Sequence, residues 1–254
     1  HAGDGHGDLE SYGFSDELIS TDDMLENLRD DEKYEVDSEL YLRARLFDMV
    51  IGDWDLHVDQ WRWAEFDKKD EKGKIYRPVP RDRDQAFSIM GDGLFMKAAT
   101  RIIPGLRLME GFDEEIRSVK GFNSSPKTYV LDIALLDRTT RDQWVAQADY
   151  IKKNLSEDTI DKAFKNFPKE VRDQTVEEIK RKLLARADNI KNTALEYFKI
   201  LNKYSVVVGT DKDDWFDIEY KKDGVEVKVY RIIKGEKKRK FFSKTFENKT
   251  TKEV

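Results

Sequence analysis

Two short loops gather residues equipped for chemistry. The first reads Ile51-Gly52-Asp53-Trp54-Asp55-Leu56-His57-Val58-Asp59-Gln60-Trp61, the second Pro80-Arg81-Asp82-Arg83-Asp84-Gln85-Ala86-Phe87. If the loops meet, Asp53, Asp55, His57, Asp59, Gln60, Asp82 and Asp84 gather at one place. Carboxylates gathered in this way repel one another unless positive charge sits among them. That charge is either the Arg81 and Arg83 guanidinium groups or a divalent cation with oxygen ligands. The structural alternative is a buried ionic knot, in which Asp53, Asp55 and Asp82 cap helix or strand ends and pair with the two arginines.

The elements that must position these loops are legible in the pattern between and before them. Trp61–Phe66 and Lys74–Val79 read as two strands joined by the polar turn Asp67–Gly73, and so short a hairpin brings its outer ends, hence the two loops, together. Ser38–Ile51 is apolar on most sides (Leu40, Leu42, Ala44, Leu46, Phe47, Met49, Val50, Ile51), which predicts a buried helix whose end delivers Gly52 and the first loop. Arg43 and Arg45 on that helix are expected to be tied to nearby carboxylates or to contact phosphate. Trp61 and Trp63 are expected in the core, shielding the acidic loops from bulk water.

The spacing resembles that of protein kinases, which place a catalytic Asp five residues before a metal-binding Asn and follow it with a hairpin and a second metal-binding Asp. Asp55-Leu56-His57-Val58-Asp59-Gln60-Trp61 resembles the Asp-Arg-His-x-x-Asn loop of phosphatidylinositol kinases and HipA-type kinases. The second loop resembles the Pro-Trp-Asp-x-Asp-x-x-Phe segment of CotH-type spore-coat kinases. Over about residues 36–90 the chain also resembles a region of large Bacteroidetes surface proteins that often carry a calcineurin-like metallophosphoesterase domain. Leu56 stands where the kinase families carry Arg, and Gln60 is one methylene longer than their Asn.

The resemblance implies an α+β fold: an atypical kinase-like C-terminal lobe with a mostly helical body and a C-terminal antiparallel β segment. It implies Asp55 and His57 as catalytic residues, the first orienting or deprotonating an acceptor hydroxyl and the second orienting the loop. Gln60, Asp82 and Asp84 are the implied ligands of Mg²⁺ or Mn²⁺, and Arg81 and Arg83 the implied contacts to ATP phosphates. A nucleotide or phosphorylated small molecule is the implied partner. The implied setting is the cell envelope, within a larger protein that has upstream and downstream domains.

Composition bounds the rest. The 254 residues suffice for one large or two modest domains, and 39% apolar content is enough for a core. A net charge of −6 argues against sequence-independent nucleic-acid binding. The absence of cysteine removes disulfides and thiolate chemistry, and no apolar run is long enough to span a membrane. The start at His1 suggests a processed product or an excerpt. The glycine-rich stretch His1–Asp8 reads as a lightly ordered end rather than a metal site.

Three segments are expected: a loop-rich 1–37 with one short helix at Met24–Leu28, a helical lobe 38–204 carrying the acidic hairpin, and a β-rich 205–254. Within the lobe, Ser88–Arg101 follows an irregular path, Pro126–Leu131 and Asp132–Arg138 are separate short pieces, and Thr140–Asn154, Thr159–Asn166 and Gln174–Tyr204 are helices. Pro168 opens a further short helix. Tyr204–Val208, Trp215–Tyr220, Val225–Ile233 and Lys240–Phe246 read as strands, with a basic turn at Gly235–Arg239.

No Walker loop, Rossmann fingerprint, zinc-binding helix or serine-nucleophile elbow is present, and the residues before Ser38 are too few and too polar for the sheet that covers a nucleotide in kinases. The leading expectation is a metal-dependent phosphotransferase-like lobe. A non-catalytic structural or binding module and a metal-dependent phosphoester hydrolase are the alternatives.

Overall fold

The structure, a computed structural model, describes residues 13, 15, 17–54, 57–69, 72–88, 111–123, 126–165 and 167–254. The fold is α+β, with a mostly helical body and a C-terminal antiparallel sheet. Strand β1 (Leu18–Ile19), helix α1 (Thr21–Asp30), strand β2 (Glu35–Val36) and helix α2 (Ser38–Ile51) precede the hairpin of β3 (Trp61–Asp67) and β4 (Lys74–Pro80). After the hairpin come α3 (Pro126–Leu136), α4 (Arg141–Asn154), α5 (Glu157–Phe164) and the long α6 (Lys169–Leu201). Strands β5 (Asp214–Lys221), β6 (Gly224–Ile233) and β7 (Glu236–Glu247) close the chain's fold.

Side chains set the helix starts by taking up backbone N–H groups that have no partner within the helix. Ser20 accepts from Asp23 N–H at α1, Asp37 from Leu40 N–H at α2, and Thr140 from Gln143 N–H at α4, where Gln143 reaches back to Thr140 N–H at 2.7 Å. The hairpin lies at the centre of a sheet ordered β1-β3-β4-β2, antiparallel except for the β4–β2 pair. The first segment is therefore more than a loop: two of its short stretches extend the hairpin into a sheet, and α1 packs across β3. Below the hairpin, α2 packs against α4, α6 and β4. Trp61 and Trp63 are buried there, with Tyr41 of α2 edge-on to Trp61 at 5.0 Å between ring centroids.

Several expectations are corrected. Pro126–Leu131 and the first residues of Asp132–Arg138 are one helix, α3. Pro168 does not open a separate short helix; it is the N-cap of α6, which runs on without a break. Among the described residues Tyr204–Val208 joins no sheet and makes one isolated bridge, Tyr204 to Glu253. The basic stretch Glu236–Arg239 is the start of β7, with the turn confined to Lys234 and Gly235, both at positive φ. The His1–Asp8 stretch and residues 89–101 lie outside the described residues. Among the described residues no helix is long and apolar enough to cross a membrane.

Candidate functional site

Helix α2 ends at Gly52, whose φ of 74° lets its N–H return to the carbonyls of Asp48 and Met49. A Cβ at this position would sit 2.9 Å from Cδ2 of Phe112, so glycine is required both by conformation and by space. Arg186 of α6 donates to Met49 O at 3.1 Å, placing a cation at the negative end of α2. Arg186 also donates to Asp113 O at 2.5 Å, and Lys182 to Phe112 O at 3.0 Å.

From that fixed end the two loops run side by side, as the hairpin predicts. The register pairs Trp61 with Pro80, and Arg81 N–H donates to Gln60 O at 2.7 Å. Farther out, Phe87 N–H donates to Ile51 O at 2.9 Å, and Trp54 Nε1–H reaches Ser88 Oγ at 3.4 Å. The α1 end clamps the first loop from the other side: Thr21 Oγ1–H donates to Val58 O at 2.7 Å while accepting from Trp63 Nε1–H at 3.1 Å.

The side chains in this frame divide by environment. Asp53 is buried at the end of α2, and its N–H bonds to Asp48 O at 2.9 Å. Asp55, the implied catalytic residue, and Leu56 lie outside the described residues. His57 precedes the 3₁₀ turn Val58–Gln60, with Nδ1 at 3.7 Å from the exposed Asp59 carboxylate. Gln60 is buried, and its amide oxygen accepts from His57 N–H at 3.3 Å, so the side chain closes its own turn. Asp82 and Asp84 are exposed. Asp82 holds a φ of 45°, unusual for a residue with a Cβ, and Gln85 donates to the Asp84 carboxylate at 3.2 Å. Among the described residues no three His, Asp or Glu side chains converge to hold a metal ion.

Arg83 turns away from the exposed acids and into the protein. Its Nε and Nη2 donate to Oδ1 of Asp48, at 2.8 and 2.7 Å. Asp48 is completely buried, and that burial raises its carboxyl to a pKa of about 6 against the pull of Arg83 and Arg45. Behind it, Arg45 grips Asp132 of α3 with Nε at 2.9 Å from Oδ1 and Nη2 at 2.9 Å from Oδ2. The same carboxylate accepts from Tyr41 Oη–H at 2.7 Å and from the Tyr197 hydroxyl. Burial and the Asp132 charge hold both phenols well above their usual pKa.

An ionic network therefore exists, and Arg83 belongs to it, with Asp48 and Asp132 as acids that the ionic-knot alternative did not name. Reasoning from the sequence foresaw a carboxylate partner for Arg45 but passed over Asp48, Asp132, Tyr41 and Tyr197. The available signal was a pair of opposite charges, Arg45 and Asp48, one turn apart within the most apolar helix of the first half. The chain matches no protein-family model, no curated protein and no solved structure.

Proposed function

We propose that this chain carries a divalent-metal-dependent, phosphotransferase-like site formed by the two acidic loops, within a protein of the bacterial cell envelope. The observation that supports the reading is the stitching of the loops at Gln60–Arg81, Ile51–Phe87 and Trp54–Ser88, which leaves Asp82 exposed on a backbone of positive φ. An unfavourable backbone state kept at a solvent-facing acid is a common mark of a functional position. Asp82 and Asp84 suit a hard cation, being exposed oxygen donors. Gln60 suits it less well, because its amide oxygen already accepts from His57. When bound, Mg²⁺ or Mn²⁺ would supply charge neutralisation between phosphate oxygens. Asp55 is assigned to the acceptor hydroxyl, with the 3₁₀ turn and the Gln60–His57 hydrogen bond setting the shape of its loop.

A second reading, a non-catalytic structural or binding module, is favoured by Arg83: a cation expected to meet phosphate is instead committed to buried Asp48.

Thermal unfolding separates the two. With Mn²⁺ and ATP together at about a hundred times the dissociation constant, the first reading predicts about 2.7 kcal/mol of added stability. That corresponds to a Tm rise of roughly 5–10 °C for a chain of this size. Asp82→Asn and Asp84→Asn should each abolish the rise. No rise in the parent chain, or a rise that survives both substitutions, rejects the phosphotransferase site.

A further inference from the structure

A cleft of about 580 Å³ follows one stripe of α2. Leu40, Arg43, Ala44, Phe47 and Ile51 form its floor, at the spacing of a single helical face. From Leu40 to Ile51 the helix rises about 16 Å, so the cleft is long rather than round. Pro78 and Pro80 of β4 contribute to one side, presenting rings and no N–H donors. At the Ile51 end stand Phe87, Phe164 and Leu183, with the Phe87 and Phe164 rings 6.3 Å apart between centroids. A largely apolar concavity of this size with a few polar groups is the usual form of a small-molecule site.

The polar groups lie toward the other end, where Tyr150 and Asn154 are exposed to water. There the Arg43 guanidinium stacks on the Tyr150 ring at 3.7 Å, and its Nε–H donates to Gln147 Oε1 at 2.8 Å. Among the described residues its two terminal nitrogens have no hydrogen-bond partner, and no carboxylate pairs with it. Glu39, one turn earlier on α2, is taken instead by the Gln143 and Gln147 amides, each at 2.9 Å.

Charge and shape together narrow the ligand. The other cation of the lining, Arg83, is neutralised by Asp48, and no Asp or Glu belongs to the lining among the described residues. In a chain with 52 acidic against 46 basic residues, such a cleft selects for negative charge. A guanidinium held flat on an aromatic ring with its outer N–H groups free is prepared to meet the two oxygens of a carboxylate side by side. A compact ring would leave most of the 16 Å or so of apolar floor unfilled, whereas an extended alkyl chain covers it.

We propose that this cleft binds a single-chain lipid acid, an unbranched alkyl chain ending in a carboxylate. The carboxylate meets Arg43 at the open end. The chain lies over Ala44 and Phe47 beside the two prolines, and its tail ends among Phe87, Phe164 and Leu183. The inference is independent of a metal at the loop tips.

The test is isothermal titration calorimetry of the full chain with dodecanoate, kept below its micelle range. One saturable site per chain is expected, with the negative heat-capacity change of apolar burial. Decanoate, two methylenes shorter, should bind about tenfold more weakly. Dodecyltrimethylammonium, with the same chain and the opposite charge, should bind at least about tenfold more weakly. Arg43→Gln should weaken dodecanoate by roughly tenfold and narrow the gap between the two head groups. Ala44→Phe fills the floor and should remove binding, with circular dichroism and thermal unfolding checking that each variant is folded. If Ala44→Phe does not fold, the head-group comparison and Arg43→Gln decide by themselves. Absence of binding at millimolar dodecanoate overturns the proposal, as does equal affinity for dodecyltrimethylammonium or unchanged affinity in folded Arg43→Gln. Self-association of the chain that excludes dodecanoate assigns the cleft to a second copy and also overturns it.

Discussion

Replacing Arg83 by methionine, which keeps the stem and removes the charge, tests whether the second loop is anchored by an ion pair. Asp48 is completely buried, and the two Arg83 bonds are its closest contacts with a cation. The next cation, Nη1 of Arg45, is 3.8 Å away, and the rest of that guanidinium is committed to Asp132. Stripping one partner from a buried pair typically costs about 3–5 kcal/mol. Asp48 has an escape, because with a pKa already near 6 it can take up a proton once Arg83 is gone. Protonation costs about 1.4 kcal/mol for each unit by which the solution pH exceeds the new pKa. The expected loss is therefore about 3 kcal/mol at pH 8 and about 1 kcal/mol at pH 5, where a neutral Asp48 needs no counter-charge.

Urea unfolding followed by tryptophan fluorescence reads these values, since Trp61, Trp63 and Trp144 are all buried. Combining Arg83→Met with Asp48→Asn should give a coupling energy of about 1.5 kcal/mol or more. A loss below about 0.5 kcal/mol at both pH values, the range of ordinary surface substitutions, would refute the anchoring. So would simple additivity with Asp48→Asn. In either case Arg83 would again be open to the phosphate role that the kinase resemblance implies.

Asp132→Asn takes from the buried Arg45 its closest counter-charge, leaving only the Asp48 carboxylate at 3.8 Å, and should cost about 3–5 kcal/mol, measured by the same unfolding curves, with partial recovery when Arg45→Met is added. Gly52→Ala meets both a positive φ and Phe112 at 2.9 Å, and a fall of about 2–4 kcal/mol is expected from the shift in urea midpoint. The raised carboxyls of Asp48 and Asp137, each near pKa 6, make the folded state bind more protons than the unfolded state between pH 4 and 6. Stability from these groups is thus full below pH 4 and falls as the pH rises through 6, by up to about 3 kcal/mol for each. Asp31, held well below the usual range by Lys212 and the Lys33 N–H, works in the opposite sense as the pH falls below 4. Calorimetric Tm values across pH 3–8 should show the decline between 4 and 6, and Asp48→Asn should flatten part of it.

What the sequence made legible was local. The bounds of α2 follow from a stretch that is apolar on most sides and ends at Gly52, and the hairpin follows from two strand-like runs around a polar turn. The closeness of the two loops follows from the hairpin alone. Less legible were features whose cause lies far along the chain. Arg45 and Asp132 are 87 residues apart, so nothing near either one announces the pair. The two-residue strands β1 and β2 exist because the hairpin offers them edges, and neither stretch has strand character by itself. Tyr204–Val208 differs in the other direction: its valines have the propensity of a strand, but among the described residues the segment makes a single isolated bridge, Tyr204 to Glu253. Within the site, exposed and buried charges look alike in sequence. Asp82 and Arg83 are neighbours, yet Asp82 is exposed while Arg83 faces inward to Asp48 through a contact that no local pattern encodes.

The division of charge between the core and the loop tips leads to a prediction that sets stability against ligand binding. Arg83, Asp48, Arg45 and Asp132 hold the loops from beneath, whereas Asp82 and Asp84 project outward. Asp82 in particular carries a Cβ at φ 45°, where glycine is at home. Replacement by glycine should relieve that strain and raise stability by about 0.5–1 kcal/mol, net of the entropy that glycine adds to the unfolded chain. If the carboxylate serves a cation, the same substitution should remove the stabilisation given by Mn²⁺ with ATP, so the variant is the more stable protein without ligand and the less stable with it. Such a crossing is the expected signature of a residue kept for binding at the expense of the fold. A glycine variant that is destabilised without ligand would show instead that Asp82 contributes to the architecture of its loop. One that keeps the full ligand shift would show that the cation, if bound, is held without it.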